Sequence, residues 1–201
     1  MEQAENKTNL ARRIGIYGGT FNPLHNGHIA LAKAFLAQAG LDEVWFVVSP
    51  QNPFKKNDVL LDDNLRLEMV EEALNGEERM KVSDVEFQLP KPSYMYITLR
   101  HLAKEYPENT FTLLIGGDNW TAFDRWAHAD EIRQNYKIAV YPRREDNIDA
   151  STLPENVFLL DTPLIDISST EIRQRVHDGQ PIDNLVPPKI AEFIGKYNLY
   201  E

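Results

Sequence analysis

The sequence predicts an α/β fold: a doubly wound, mostly parallel sheet of five or six strands with helices on both faces. Three observations predict it. Short β-branched runs alternate with segments of helical periodicity, the runs are apolar on both faces as in strands buried between helix layers, and two of them run into Gly-Gly.

The elements follow in order. Arg13-Ile14-Gly15-Ile16-Tyr17 reads as a buried strand closed by a tight turn at Gly18-Gly19. Ile29, Leu31, Ala32, Phe35 and Leu36 recur at helical spacing, with Gly40 as the stop. Val44 to Val48 is a second apolar strand, and Ser49 to Pro53 behind it is a loop. Leu65, Met69, Val70, Ala73 and Leu74 mark a helix, Met80 to Phe87 a weaker strand, and Ser93 to Tyr106 another helix. Phe111 to Ile115, Lys137 to Tyr141 and Val157 to Leu160 complete the strands. The polar stretch from Arg143 to Pro154 is expected to be a mobile loop. In such Rossmann-like sheets ligands bind beyond the carboxyl ends of the strands, so function is expected in the loops after the first, second and fourth.

With 201 residues and no break in composition, one domain over residues 1–201 suffices, residues 1–12 forming a flexible tail. The net charge of -10 excludes a sequence-independent grip on nucleic acid, which needs Lys and Arg against phosphates. No signal-peptide core or bilayer-length apolar run occurs, so no membrane association and a cytoplasmic location are expected. The absence of Cys closes the routes through disulfides, thiolate metal sites and a Cys nucleophile. The oligomeric state stays open.

Three constellations carry chemistry. Gly18-Gly19-Thr20-Phe21-Asn22-Pro23-Leu24-His25-Asn26-Gly27-His28 combines glycines that let backbone N–H groups approach an anion with a helix whose positive end points the same way. His25 and His28 can face one point there, which suits a triphosphate. Plain capping of a turn is the bland alternative, and zinc binding is disfavoured because H-E-x-x-H spacing and its Glu are missing. Ile167-Ser168-Ser169-Thr170-Glu171-Ile172-Arg173 reads as a capping box from Ser168 to Glu171, with spare hydroxyls and Arg173 making a second anion-binding helix start. Gly116-Gly117-Asp118 ends a strand with a carboxylate placed for ribose hydroxyls. Trp120, Phe123 and Trp126 are core packing or a stacking platform. On the second loop Asn52, Lys55 and Lys56 can meet phosphate, although lysines are usually just solvated.

The first string resembles the HxGH signature of a nucleotidyltransferase superfamily, and residues 167–173 resemble its second signature, ISSTxIR. Pro92-Ser93-Tyr94, Ile115-Gly116-Gly117-Asp118 and Phe123 to Trp126 are similar to landmarks of the bacterial nicotinate-nucleotide adenylyltransferase family. The resemblance implies that Gly18, Gly19, Thr20, Phe21, His25, His28, Gly116, Asp118, Ser168, Ser169, Thr170 and Arg173 bind ATP. Among them His25, His28 and Arg173 would stabilise transition-state charge. It places the acceptor, nicotinate mononucleotide, on Asn52, Lys55, Ser93, Tyr94, Met95 and Trp126, with Mg²⁺ carried in on ATP. Met95 stands where the family usually has Thr, and Lys55 follows Pro53-Phe54 where it often has His-Lys. The alternatives are the same chemistry on nicotinamide mononucleotide or phosphopantetheine, or a nucleotide-sensing module without turnover. The first turn lacks the G-x-G-x-x-G of a dinucleotide dehydrogenase.

Overall fold

Each strand alternates its side chains between two apolar layers, and that alternation fixes the architecture. The computed structural model describes residues 10–51, 53, 60–142, 148–163 and 165–201. The expected tail therefore lies largely outside the described residues, as does part of the loop expected to be mobile. Of that loop, Ala150–Thr152 is a single 3-10 turn begun by the Asp149 side chain, which accepts from Ser151 N.

Among the described residues the order is β1 (Arg13–Gly19), α1 (Asn26–Gln38), β2 (Glu43–Val48), α2 (Asp63–Leu74), β3 (Met80–Ser83), α3 (Met95–Glu105), β4 (Thr110–Gly116), α4 (Gly117–Thr121), α5 (Ala129–Asn135), β5 (Lys137–Tyr141), β6 (Val157–Leu159), α6 (Ser169–His177) and α7 (Pro188–Lys196). The six strands pair in the order β3-β2-β1-β4-β5-β6, every pairing parallel. The sequence order reverses between β1 and β4, and the crevice at that switch point is where an open α/β sheet receives a ligand.

One face of the sheet offers Val44, Phe46, Val48, Leu114 and Ala139 to Leu31, Ala32, Phe35 and Leu36 of α1 and Val70 and Leu74 of α2. The other offers Ile14, Ile16, Leu113, Ile115 and Val140 to Leu99 and Leu102 of α3 and Ile132 of α5. A third cluster joins Met69 of α2, Ile172 of α6 and Ile190, Phe193 and Ile194 of α7. Gly15 seats α1 hard on the sheet, because a Cβ there would lie 2.4 Å from the Phe35 ring. Gly40 ends α1 at φ +60, a left-handed residue just past the helix as expected.

Two expectations need correction. The strand assigned to Met80 to Phe87 stops at Ser83, and Val85–Gln88 is a 3-10 turn. Gly18-Gly19 does not form the turn after β1: both residues continue the strand, paired with Val47 and Val48. The chain turns later, at Phe21 with φ 44.

Candidate active site

The two glycines supply space. A Cβ on Gly18 would lie 2.8 Å from Met95 Cε, and one on Gly19 would lie 2.9 Å from the Phe21 ring. The first residue of α3 therefore sits directly on the end of β1, which brings Ser93, Tyr94 and Met95 beside the loop from Thr20 to His25.

That loop delivers the histidines in an unusual way. His25 is the N-cap of α1, and its Nδ1 accepts from His28 N at 3.3 Å. His28 answers with Nδ1 accepting from His25 N at 3.2 Å, a capping box built from imidazoles. The rings stack with centroids 3.6 Å apart, and His28 also lies 5.2 Å from Phe21. An Nδ1 that accepts a hydrogen bond cannot carry the proton, so each neutral ring is protonated on Nε2. Capping and anion binding are thus compatible here, because capping fixes the tautomer that presents an N–H donor. Gly27 lets the segment leading into the second signature approach: its missing Cβ would lie 2.6 Å from Ile165 Cγ2 and 3.0 Å from the His25 ring.

Helix α6 then docks on the same loop. Its N-cap Ser168 accepts from Glu171 N at 3.2 Å, while the Glu171 carboxylate pairs with Arg175 at 2.7 Å. Only that half of the expected box carries a hydrogen bond among the described contacts. Ser169 Oγ donates to Pro23 O at 2.9 Å, Arg173 Nη1 to Asn22 O at 2.8 Å, and Arg173 Nη2 to Thr170 Oγ1 at 3.3 Å. The two signatures, about 140 residues apart in the chain, are one structure.

At the end of β4, Gly116 has no side chain because Asp118 folds back over it; a Cβ would lie 2.5 Å from Asp118 Oδ1. Asp118 lies exposed in the first turn of α4. Trp126 packs 5.2 Å from Phe123 and joins Met95 and Tyr96 on the same apolar cluster. It borders a cleft of about 550 Å³ with His128, Ala129 and Glu131. Trp120 stacks on Phe123 at 5.3 Å as core. Asn52, Lys55 and Lys56 lie outside the described residues.

Sequence reasoning missed three polar residues. Arg66 has no exposed surface and donates to Thr20 O at 2.7 Å and Ser49 O at 3.0 Å. Tyr200, in left-handed backbone at φ 66, donates its hydroxyl to Asn22 Oδ1 at 2.8 Å. Glu86 is 1% exposed and accepts from Thr98 Oγ1 at 2.7 Å. Burial pushes its pKa up, against the hydroxyls of Ser49, Thr98 and Ser93. Charged residues are read as surface by default, and nothing local in the sequence marks these as exceptions. Tyr200 had a signal, since Ile190, Phe193, Ile194 and Tyr197 run at helical spacing just before it.

The family model described as cytidylyltransferase-like matches residues 16–175, from β1 through most of α6. The chain belongs to the cytidylyltransferase-like family. Within it, a protein of Bacteroides fragilis named "Probable nicotinate-nucleotide adenylyltransferase" is 48% identical over 90% of both chains. One of the same name from Flavobacterium johnsoniae is 43% identical over 94% of this chain and 99% of its own. In fold, the chain resembles Plasmodium falciparum nicotinic acid mononucleotide adenylyltransferase, solved as a complex with NaAD. The TM-score is 0.80 at 22% identity over 94% of this chain and 97% of that one. Among the described residues of this family member no helix is long and apolar enough to cross a membrane.

Proposed function

We propose that this chain transfers the AMP unit of ATP to the phosphate of nicotinate mononucleotide, giving nicotinate adenine dinucleotide and pyrophosphate. One observation carries the reading: the histidine-bearing start of α1 and the hydroxyl-bearing start of α6 share the loop from Asn22 to His25 through Ser169 and Arg173. Two positive helix ends on one loop make a site for a polyanion. The names of the relatives at 48% and 43% identity support the acceptor.

An acceptor phosphate oxygen attacks the α-phosphorus in line. A new P–O bond forms as the bond to the pyrophosphate oxygen breaks, and pyrophosphate leaves with the electron pair. The acceptor is already anionic near neutral pH, so no general base is needed, and the protein contributes position and charge stabilisation. His25 and His28 donate through Nε2, Arg173 and the α6 start add positive charge, and Asp118 takes the adenosine ribose hydroxyls. Ser93, Tyr94, Met95 and Trp126 form the acceptor wall, with Asn52 and Lys55 assigned to the acceptor phosphate. No group of three or more His, Asp or Glu gathers among the described residues. With both histidine Nδ1 atoms taken by backbone N–H, a Mg²⁺ would be held here by the bound ATP rather than by His25 or His28, and when bound would supply neutralisation of triphosphate charge. We assign residues 1–201 to one catalytic unit working in the cytoplasm.

The test is pyrophosphate release with ATP and either nicotinate or nicotinamide mononucleotide. Release with both substrates present, faster for the nicotinate form, is expected. ATP binding without pyrophosphate for either acceptor contradicts the reading. His28→Ala should lower kcat by on the order of a hundredfold to a thousandfold, as for loss of one oxyanion donor. A loss under about threefold would remove His28 from that role.

A further inference from the structure

Arg66 is a guanidinium sealed inside the molecule, and its hydrogen bonds tie together two loops that the chemistry must keep in register. Nη1 donates both to Thr20 O, 2.7 Å away in the loop after β1, and to Ser49 O, 3.0 Å away in the loop after β2. Nε donates to Leu61 O at 3.1 Å, and Nη2 to Asp63 Oδ1 at 2.6 Å. The side chain is 0% exposed and its bond to Ser49 O is buried, so leaving a guanidinium N–H unmade there is costly.

The two loops have different jobs in the function proposed above. Thr20 begins the segment that carries His25 and His28. Ser49 begins the segment whose Gln51 O accepts from Ser93 N at 2.9 Å, so the β2 loop is bonded to the acceptor wall before α3. The backbone joins the roots of the two loops through the β1–β2 ladder, which Ser49 N to Gly19 O at 2.9 Å extends, while Arg66 bonds the carbonyls just beyond it. A guanidinium is planar, and one nitrogen of its rigid fork here meets both carbonyls; a lysine ammonium is a mobile point charge.

We propose that Arg66 is a positioning residue for adenylyl transfer: it sets the spacing between the loop that holds the ATP phosphates and the loop that supports the acceptor, and so the in-line approach of the acceptor to the α-phosphorus. The proposal rests on that assignment of the two loops. Arg66 touches neither substrate. Its loss therefore acts on kcat more than on either KM, because each loop still binds its own ligand while their alignment fails.

The experiment compares the parent, Arg66→Lys, Arg66→Gln and Asp63→Asn by steady-state kinetics with ATP and nicotinate mononucleotide, alongside Tm. Asp63 pairs with Arg66 Nη2 and with Lys91 and accepts from neither loop; its amide keeps an acceptor for Nη2, so Asp63→Asn removes the charge while Nη1 stays on both loop carbonyls. Arg66→Lys and Arg66→Gln should lower kcat on the order of a hundredfold, the size expected for misalignment of about an ångström, with both KM values within about threefold. Asp63→Asn should lower Tm and leave kcat within about threefold of the parent. The proposal is overturned if either folded Arg66 variant keeps parental kcat, if the loss falls on one KM, or if Asp63→Asn loses kcat as severely.

Amide exchange on the parent covers the case in which neither Arg66 variant folds. ATP alone should slow exchange at residues 20–22 and at Gln51 together, beyond the strand ends already joined by the sheet, and protection confined to 20–22 overturns the clamp. A parent that yields no pyrophosphate refutes the function proposed above, while the exchange measurement still decides the clamp.

Discussion

Glu86 shows how one residue sets a condition on the whole molecule. Its carboxyl is buried behind the acceptor wall, and desolvation raises its pKa above the ordinary 4.5. The folded state therefore holds a proton that the unfolded chain has released, between the ordinary value and the raised one. In that window stability falls as pH rises, because the unfolded state binds fewer protons. The contribution is fully present below the ordinary value and is lost on passing the raised one. Glu86→Gln removes the titration, so the Tm of the variant should gain on the parent as pH rises above the carboxylate range. A Tm difference that stays constant across that range would show that Glu86 does not titrate in this way. At this scale the sequence was only half legible. His25, His28, Ser169 and Arg173 could be picked out because their motif spacing announces them. Arg66 and Glu86 could not, because the partners that satisfy them, Thr20 and Ser49 for one and Thr98 for the other, are brought near only by the fold.

At the scale of elements, helix starts were more legible than strand ends. The helical periods marked α1 and α2, the apolar positions named for each fall inside the observed helices, and Ser168 caps α6 as read. Glycine was the main source of error, because it was taken as a turn signal where it is a space-maker. The glycines of α1 and α7 separate these roles. At Gly27 an added methyl lies 2.6 Å from Ile165, whereas at Gly195 it meets nothing within 4 Å. Alanine gains about 1 kcal/mol over glycine inside a helix, and overpacking costs about 1–3 kcal/mol. Gly195→Ala should therefore raise Tm, where only the gain applies. Gly27→Ala should lower Tm and weaken ATP binding, since the lead-in to α6 must move away from α1. Thermal melts with and without ATP check both, and a stabilised Gly27→Ala would mean that the two helix starts do not depend on that close approach. Helix α7 had no counterpart in the sequence reading; its apolar face at Ile190, Phe193 and Ile194 builds the third cluster on α2 and α6.

For the molecule as a whole, a net charge of -10 has to coexist with a site for a triphosphate. In the function proposed above, local geometry resolves this: two helix starts and Arg173 meet on one loop and would supply positive charge there despite the acidic total. The alternation of strands and helices made the parallel sheet legible from the sequence, whereas the strand order, and with it the switch point between β1 and β4, came only with the structure. The convergence of α1 and α6 was legible only as an expectation, since about 140 residues separate the two segments.

Backbone NMR during titration with a non-hydrolysable ATP analogue addresses that convergence most directly. The amides of residues 18–28 and 168–173 should shift together and saturate with one common Kd. Shifts confined to one segment, or two separate dissociation constants, would mean that the helix starts do not hold one triphosphate.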